Sequence, residues 1–147
     1  MAGGISVTVT DWASAMAHSR PIRVRVFVEE QGVPIALEWD DNDAVSDHAL
    51  ACDAAGNPVG TGRLLPDGHI GRMAVLREAR GQGIGAALLT ALIERARARG
   101  MTTLVLSAQT HAAGFYRRFG FAAVGGEYME ASIPHVEMRQ TLGQTRR

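Results

Sequence analysis

The stretch Arg80-Gly81-Gln82-Gly83-Ile84-Gly85-Ala86 limits what this chain can fold into more than any other part of it. It lies between an apolar run, residues 70–75, that predicts a strand and a helical pattern over residues 82–99. Glycine at every second position leaves the backbone bare where the helix begins. The N–H groups of a first helical turn have no partner within the helix, and the helix dipole adds partial positive charge there. Such a loop wraps a phosphate, and Arg80 supplies a fixed cation at its mouth. The plainer alternative is a turn whose glycines only relieve crowding. The coincidence of arginine, spaced glycines and a strong following helix favours the phosphate loop.

Gly81-x-Gly83-x-x-Ala86 also fits the dinucleotide fingerprint G-x-G-x-x-A. That motif expects a strand running straight into the first glycine and an acidic residue roughly 20 positions later. Here Leu76-Arg77-Glu78-Ala79-Arg80 intervenes, and the next candidate strand ends in Ala108-Gln109 with no carboxylate for a ribose. A Walker P-loop needs a lysine, and this chain has none.

The rest of the pattern alternates strand and helix. Ile5 to Val9 has period two and predicts a first strand. Asp11 suits the N-cap of a short helix bearing Trp12 and Met16, which Pro21 is expected to interrupt. Residues 22–28 are expected to be helical again, and residues 31–47 a loop. Residues 48–53 and 59–65 flank the turn Ala55-Gly56-Asn57-Pro58 as a hairpin, and residues 69–75 add a third antiparallel strand before the glycine loop. In the helix of residues 82–99, Ile84, Leu88, Leu92 and Ala96 form a row that Leu89 and Ile93 widen, and Gly100 suits its C-terminal stop. A short apolar strand around residues 104–106 follows, then a helix over 110–119. Strands at 121–124 and 136–142 close the sheet.

Arg80, Gly83 and Gly85, followed by Ala86, resemble the acetyl-CoA pyrophosphate loop R/Q-x-x-G-x-G/A of the GNAT superfamily of N-acetyltransferases. Ala112-x-x-Phe115-Tyr116-x-x-x-Gly120-Phe121 resembles that superfamily's tyrosine-bearing helix and the strand after it. The family's usual Asn at the head of that helix is Gln109 here. Val26-Phe27-Val28-x-Glu30-Gln31-x-Val33-Pro34 and Ile133-Pro134-His135 are similar to the small bacterial ElaA-like and YjcF-like branches, so the resemblance spans nearly the whole chain. It implies an α/β domain over residues 1–143 with a mixed, mainly antiparallel sheet and helices on both faces, and a frayed tail at 144–147. It also implies acetyl-CoA as co-substrate, held by Arg80, Gly81, Gln82, Gly83, Ile84, Gly85, Ala86 and Gln109. The pantetheine arm would lie against the main chain of Met73, Ala74 and Val75, one N–H of which would polarise the thioester carbonyl. Tyr116 matches the tyrosine expected to serve the departing thiolate.

An amine attacks only when neutral, so a base is required. Glu30, Glu38, His111 and His135 are the candidates, with His135 first and Glu30 second. The acidic run 38–43 either draws a cationic amine or is simply solvated. No histidine–carboxylate pair has metal-ligand spacing, and His18 and His69 suggest no role. The formal net charge is +0, which predicts no general attraction for nucleic acid or an acidic membrane. The single Cys52 excludes an internal disulfide and is expected to pack as a small apolar residue. With no signal peptide and no apolar run of membrane length, the expectation is a cytosolic enzyme, with a homodimer as a plausible assembly. The expected reaction is direct acetyl transfer to a primary amine of a small molecule or peptide. The alternatives are a CoA-binding sensor without turnover, separable by assaying acetyl-CoA with amines, and an NAD(P)-dependent oxidoreductase, separable by nucleotide binding.

Overall fold

The helix α3, Ile84–Ala98, follows its sequence pattern closely. Ile84, Leu88, Leu89, Leu92, Ile93 and Ala96 are all buried against the sheet. At its end Gly100 turns left-handed, with φ 77°, and the N–H groups of Gly100 and Met101 bond back to Arg97 and Ala96 at 3.0 Å. Two otherwise orphaned carbonyls are thereby satisfied. In this computed structural model, residues 4–143 are described; the expected tail at 144–147 lies outside the described residues.

The strands are β1 (Ser6–Thr10), β2 (Asp47–Cys52), β3 (Pro58–Leu64), β4 (His69–Val75), β5 (Thr103–Gln109), β6 (Ala122–Glu130) and β7 (Ile133–Thr141). They form one seven-stranded sheet in the order β1-β2-β3-β4-β5-β7-β6. Only β4 and β5 run parallel; every other pair is antiparallel. α3 lies close on β3 because Gly60 and Gly62 present no side chain. A Cβ at Gly60 would come within 2.9 Å of Leu88, and one at Gly62 within 3.1 Å of Leu92. On the opposite face, Ile22 and Val26 pack with Leu50, Ala74 and Leu76. Cys52 joins that cluster as a partly buried apolar side chain, as expected. No helix among the described residues is long and apolar enough to cross a membrane.

Three expectations are corrected. Pro21 does not interrupt its helix: α1 spans Trp12–Arg23 through it and passes directly into a π-wound run, Val24–Glu30. The wider winding appears as Gln31 N–H bonding to the Val26 carbonyl at 3.1 Å, five residues back. The stretch 31–47 is not simply a loop, since it contains the short helix α2 (Ile35–Glu38) and a 3₁₀ turn, Asp41–Val45. The last hairpin is longer than its apolar residues suggested. β6 is exposed along all of its length and bulged near Gly125, so its sequence lacks the burial pattern that marks a strand.

The acidic run 38–43 is not merely solvated either. Glu38 is 2% exposed and Asp43 4%, and both are held by Arg23, itself 1% exposed. Arg63 binds Asp40 at 2.7 and 2.9 Å and Asp43 at 2.9 Å. Trp12 and Trp39 lie at 5.4 and 5.6 Å from the Arg23 guanidinium and wall the cluster on that side. Three carboxylates thus serve three arginines (the third is Arg72), and none of this was visible from the acidic run alone.

Candidate active site

β4 and β5 pair only at His69–Val105 and Ile70–Leu106, then separate. The separation has a local cause. Arg63 faces Gly71 while Thr61 faces Ala74, so Arg72 and Met73 together oppose Gly62. This bulge holds Arg72 in the left-handed region, with φ 51°, and bends β4 away from its neighbour. A cavity of about 480 Å³ opens at the fork. Its apolar wall includes Phe27, Val33, Leu37, Ile70, Met73 and Ile133; Gln31, Arg72, Ser107, Gln109, Tyr116, Glu130 and His135 supply its polar groups.

Of the three expected catalytic residues, the fold brings two together. Tyr116, on α4 (Ala113–Arg117), and His135, on β7, both line the cavity. Tyr116 is fixed by edge-on contact with Phe115 at 5.1 Å and Phe121 at 6.2 Å. Its hydroxyl makes no hydrogen bond among the described residues, and burial pushes its pKa above the ordinary 10.0. The phenol is therefore neutral at physiological pH and has its proton to offer. His135 is 7% exposed, and its Nδ1 lies 2.7 Å from the Ile133 carbonyl. A carbonyl can only accept, so Nδ1 carries the hydrogen and the neutral ring keeps a lone pair on Nε2.

Glu30 is not brought to this cavity. Its two carboxylate oxygens take Nη1 and Nη2 of Arg80 at 2.6 and 2.7 Å, while Arg80 Nε donates to the Val75 carbonyl at 3.0 Å. The Arg80 guanidinium beside it holds the Glu30 carboxyl below the usual carboxylate range. A carboxylate so engaged is a poor base for a distant amine; its effect is to orient Arg80. Glu38 borders the cavity, but its carboxylate is bound by Arg23. His111 stands outside the lining and donates to Gln109 Oε1 at 2.7 Å. Gln109 donates in turn to Gln31 at 3.0 Å, tying the end of β5 to the end of the π-wound run.

The glycine loop lies at the start of α3. Gly81 and Gly83 have φ of 80° and 79°, conformations that a side chain resists, and a Cβ on either would meet nothing within 4 Å. Gly85 sits in ordinary helical conformation with its missing Cβ 3.7 Å from Phe115. The loop is thus an open concavity of backbone, with unbonded first-turn N–H groups and the Arg80 cation beside it. Its donors suit a pyrophosphate. Among the residues expected at the thioester, Met73 lines the cavity, and Ala74 and Val75 continue the strand behind it.

Sequence reasoning missed Arg72, Ser107 and Glu130. Ser107 Oγ is hydrogen-bonded to the Tyr128 hydroxyl and donates to Glu130 at 3.2 Å. Only the sheet register brings these residues to one place, so no local motif could have announced them.

A sheet forked at its one parallel pair, with a bare glycine loop at the following helix, is the architecture of acyl-CoA N-acyltransferases. The crystal structure of an Acyl-CoA N-acyltransferase from Pseudomonas aeruginosa superposes with TM-score 0.84 at 33% identity, covering 93% of this chain and 99% of that one. Escherichia coli ElaA superposes with TM-score 0.83 at 27% identity, covering 92% and 99%. The acetyltransferase (GNAT) domain model matches residues 16–142, and the chain belongs to that family. A curated relative, the uncharacterized N-acetyltransferase YjcF of Bacillus subtilis, is 36% identical over 121 residues, spanning 80% of this chain and 86% of its own.

Proposed function

We propose that this protein transfers acetyl from acetyl-CoA to a primary amine of a small molecule or peptide by direct attack. The observation that carries the reading is the cavity at the β4–β5 fork, walled jointly by Tyr116, His135 and the bulged main chain of β4. The acetyl-CoA pyrophosphate would rest on Gly81, Gln82, Gly83, Ile84, Gly85 and Ala86, with Arg80 at its edge. His135 Nε2 takes the proton that the amine nitrogen must lose as it bonds to the thioester carbon. A backbone N–H of residues 73–75 receives the oxygen charge that develops. As the carbon–sulfur bond breaks, the Tyr116 hydroxyl donates a hydrogen bond to the thiolate. Full proton transfer from a phenol near 10 to a thiol near 8.5 runs about 2 kcal/mol uphill, and burial of Tyr116 widens the gap. Hydrogen bonding is therefore its role.

Thiol release from acetyl-CoA, followed with a panel of primary amines, tests the reading. Amine-dependent release that falls in His135→Ala supports it. CoA binding without release for any amine would make the protein a sensor instead.

A further inference from the structure

Arg72 stands apart from the other two arginines of the buried cluster. Arg23 and Arg63 make close, multiple bonds to carboxylates, at 2.7 to 3.1 Å besides the shorter Arg23–Glu38 pair. Arg72 reaches the Leu37 and Glu38 carbonyls and Asp40 only at 3.3 Å, all through Nη2. Its Nε is buried without a hydrogen-bond partner, though Glu38 Oε2 lies 3.4 Å away, and its Nη1 bonds to no described residue. Burial and the neighbouring Arg63 depress its pKa, whereas the Arg63 pKa is raised. Glu38 and Asp40 stand 3.4 and 3.3 Å from Arg72, farther than the bonds they make to Arg23 and Arg63, so the charge of Arg72 is the least closely paired in the cluster. Arg72 lines the cavity and is held there by a left-handed backbone that a non-glycine residue adopts at a cost.

Resting on the acetyl-transfer reading, we infer that the acceptor is an amino carboxylate, its carboxylate bound by Arg72 and its amine presented to His135. Nη1, with its two N–H donors bonded to no described residue, is the end of the guanidinium left for a carboxylate. Glu130, on the β6–β7 side of the cavity, offers the ammonium form a counter-charge as it enters. A zwitterion adds no net charge to this wall. A phosphate dianion would bring two charges to one guanidinium that already has Glu38 and Asp40 beside it. The apolar wall of Phe27, Val33 and Leu37 accommodates an aliphatic side chain or linker.

The test compares matched pairs: leucine with 3-methylbutylamine, 5-aminopentanoate with pentylamine, and O-phosphoethanolamine as the phosphate arm. Binding to the CoA-saturated protein is measured by calorimetry, and turnover by thiol release. At least one carboxylate-bearing member is expected to bind ten-fold or more tightly than its partner, and Arg72→Gln is expected to abolish the difference while CoA affinity stays within about threefold. Equal binding within both pairs overturns the inference, as does a preference for the phosphate or a preference that survives in Arg72→Gln. If that variant does not fold, the wild-type pairs decide alone. Carboxylate-selective binding without turnover would uphold the site and overturn acetyl transfer, so the two readings fail separately.

Discussion

Tyr116 is the residue at which chemistry and packing separate most cleanly. Its ring is held by Phe115 and Phe121, while its hydroxyl is bonded to nothing among the described residues. Tyr116→Phe keeps the ring and removes only the group facing the cavity. We expect kcat to fall about 10²-fold with little change in CoA affinity, checked by steady-state kinetics and calorimetry. Stability should move by less than about 1.5 kcal/mol, the scale of one hydrogen bond. Arg23 behaves oppositely, because its loss leaves the buried Glu38 without its closest partner and Asp43 with Arg63 alone. Arg23→Ala should cost about 3–5 kcal/mol in urea unfolding. Tyr116 and His135 were legible in the sequence because each sits in a recognisable local motif. Arg72 was not, since its exposure to the cavity comes from a bulge defined only by pairing with β3.

At the scale of elements, α3 and the loop before it can be tested without disturbing the backbone. Gly85 has helical geometry and room for a methyl group at 3.7 Å from Phe115. Gly85→Ala should therefore stabilise the fold by up to about 1 kcal/mol through reduced chain entropy. The same methyl group narrows the phosphate concavity, and CoA should bind about tenfold more weakly, a loss near 1.4 kcal/mol. Thermal unfolding and calorimetry read the two effects, and their opposite signs distinguish a phosphate site from a damaged helix. Gly83 is the poorer probe, because its φ of 79° adds backbone strain to any substitution. The apolar row of α3 and its glycine stop were plain in the sequence, since the helix makes its own hydrogen bonds and buries one face. The π-wound run and β6 were not. The first shows only in its five-residue hydrogen bonding and the second lies on an edge whose two faces are both solvated.

Across the whole molecule, the buried charges tie stability to acidity. Burial lowers the His48 pKa below its ordinary 6.5, and hydrogen bonds from Arg63 lower that of Asp40 from 3.8 to about 2. In both cases the unfolded chain takes up protons first as pH falls. Their contributions are present above 6.5 and 3.8 and are lost as pH drops through each folded value. Burial raises Glu38 above 4.5, so its contribution runs the other way, being present in acid and fading as pH rises. Urea midpoints measured against pH should show a shallow decline below 6.5 and a second one below 3.8. His48→Gln should flatten the first and Asp40→Asn the second.

All fifteen Lys and Arg positions being arginine has a chemical consequence for the acetyl transfer proposed above. A guanidinium is no nucleophile at neutral pH, so the ion pairs around the acceptor cavity and at Arg80 cannot be acylated by acetyl-CoA. A lysine at position 72 would be a primary amine standing in the cavity proposed to receive the acceptor amine. Arg72→Lys, incubated with acetyl-CoA, should gain one acetyl group at that position by mass spectrometry and stall. The native guanidinium cannot be acetylated and would keep its charge beside the proposed reaction.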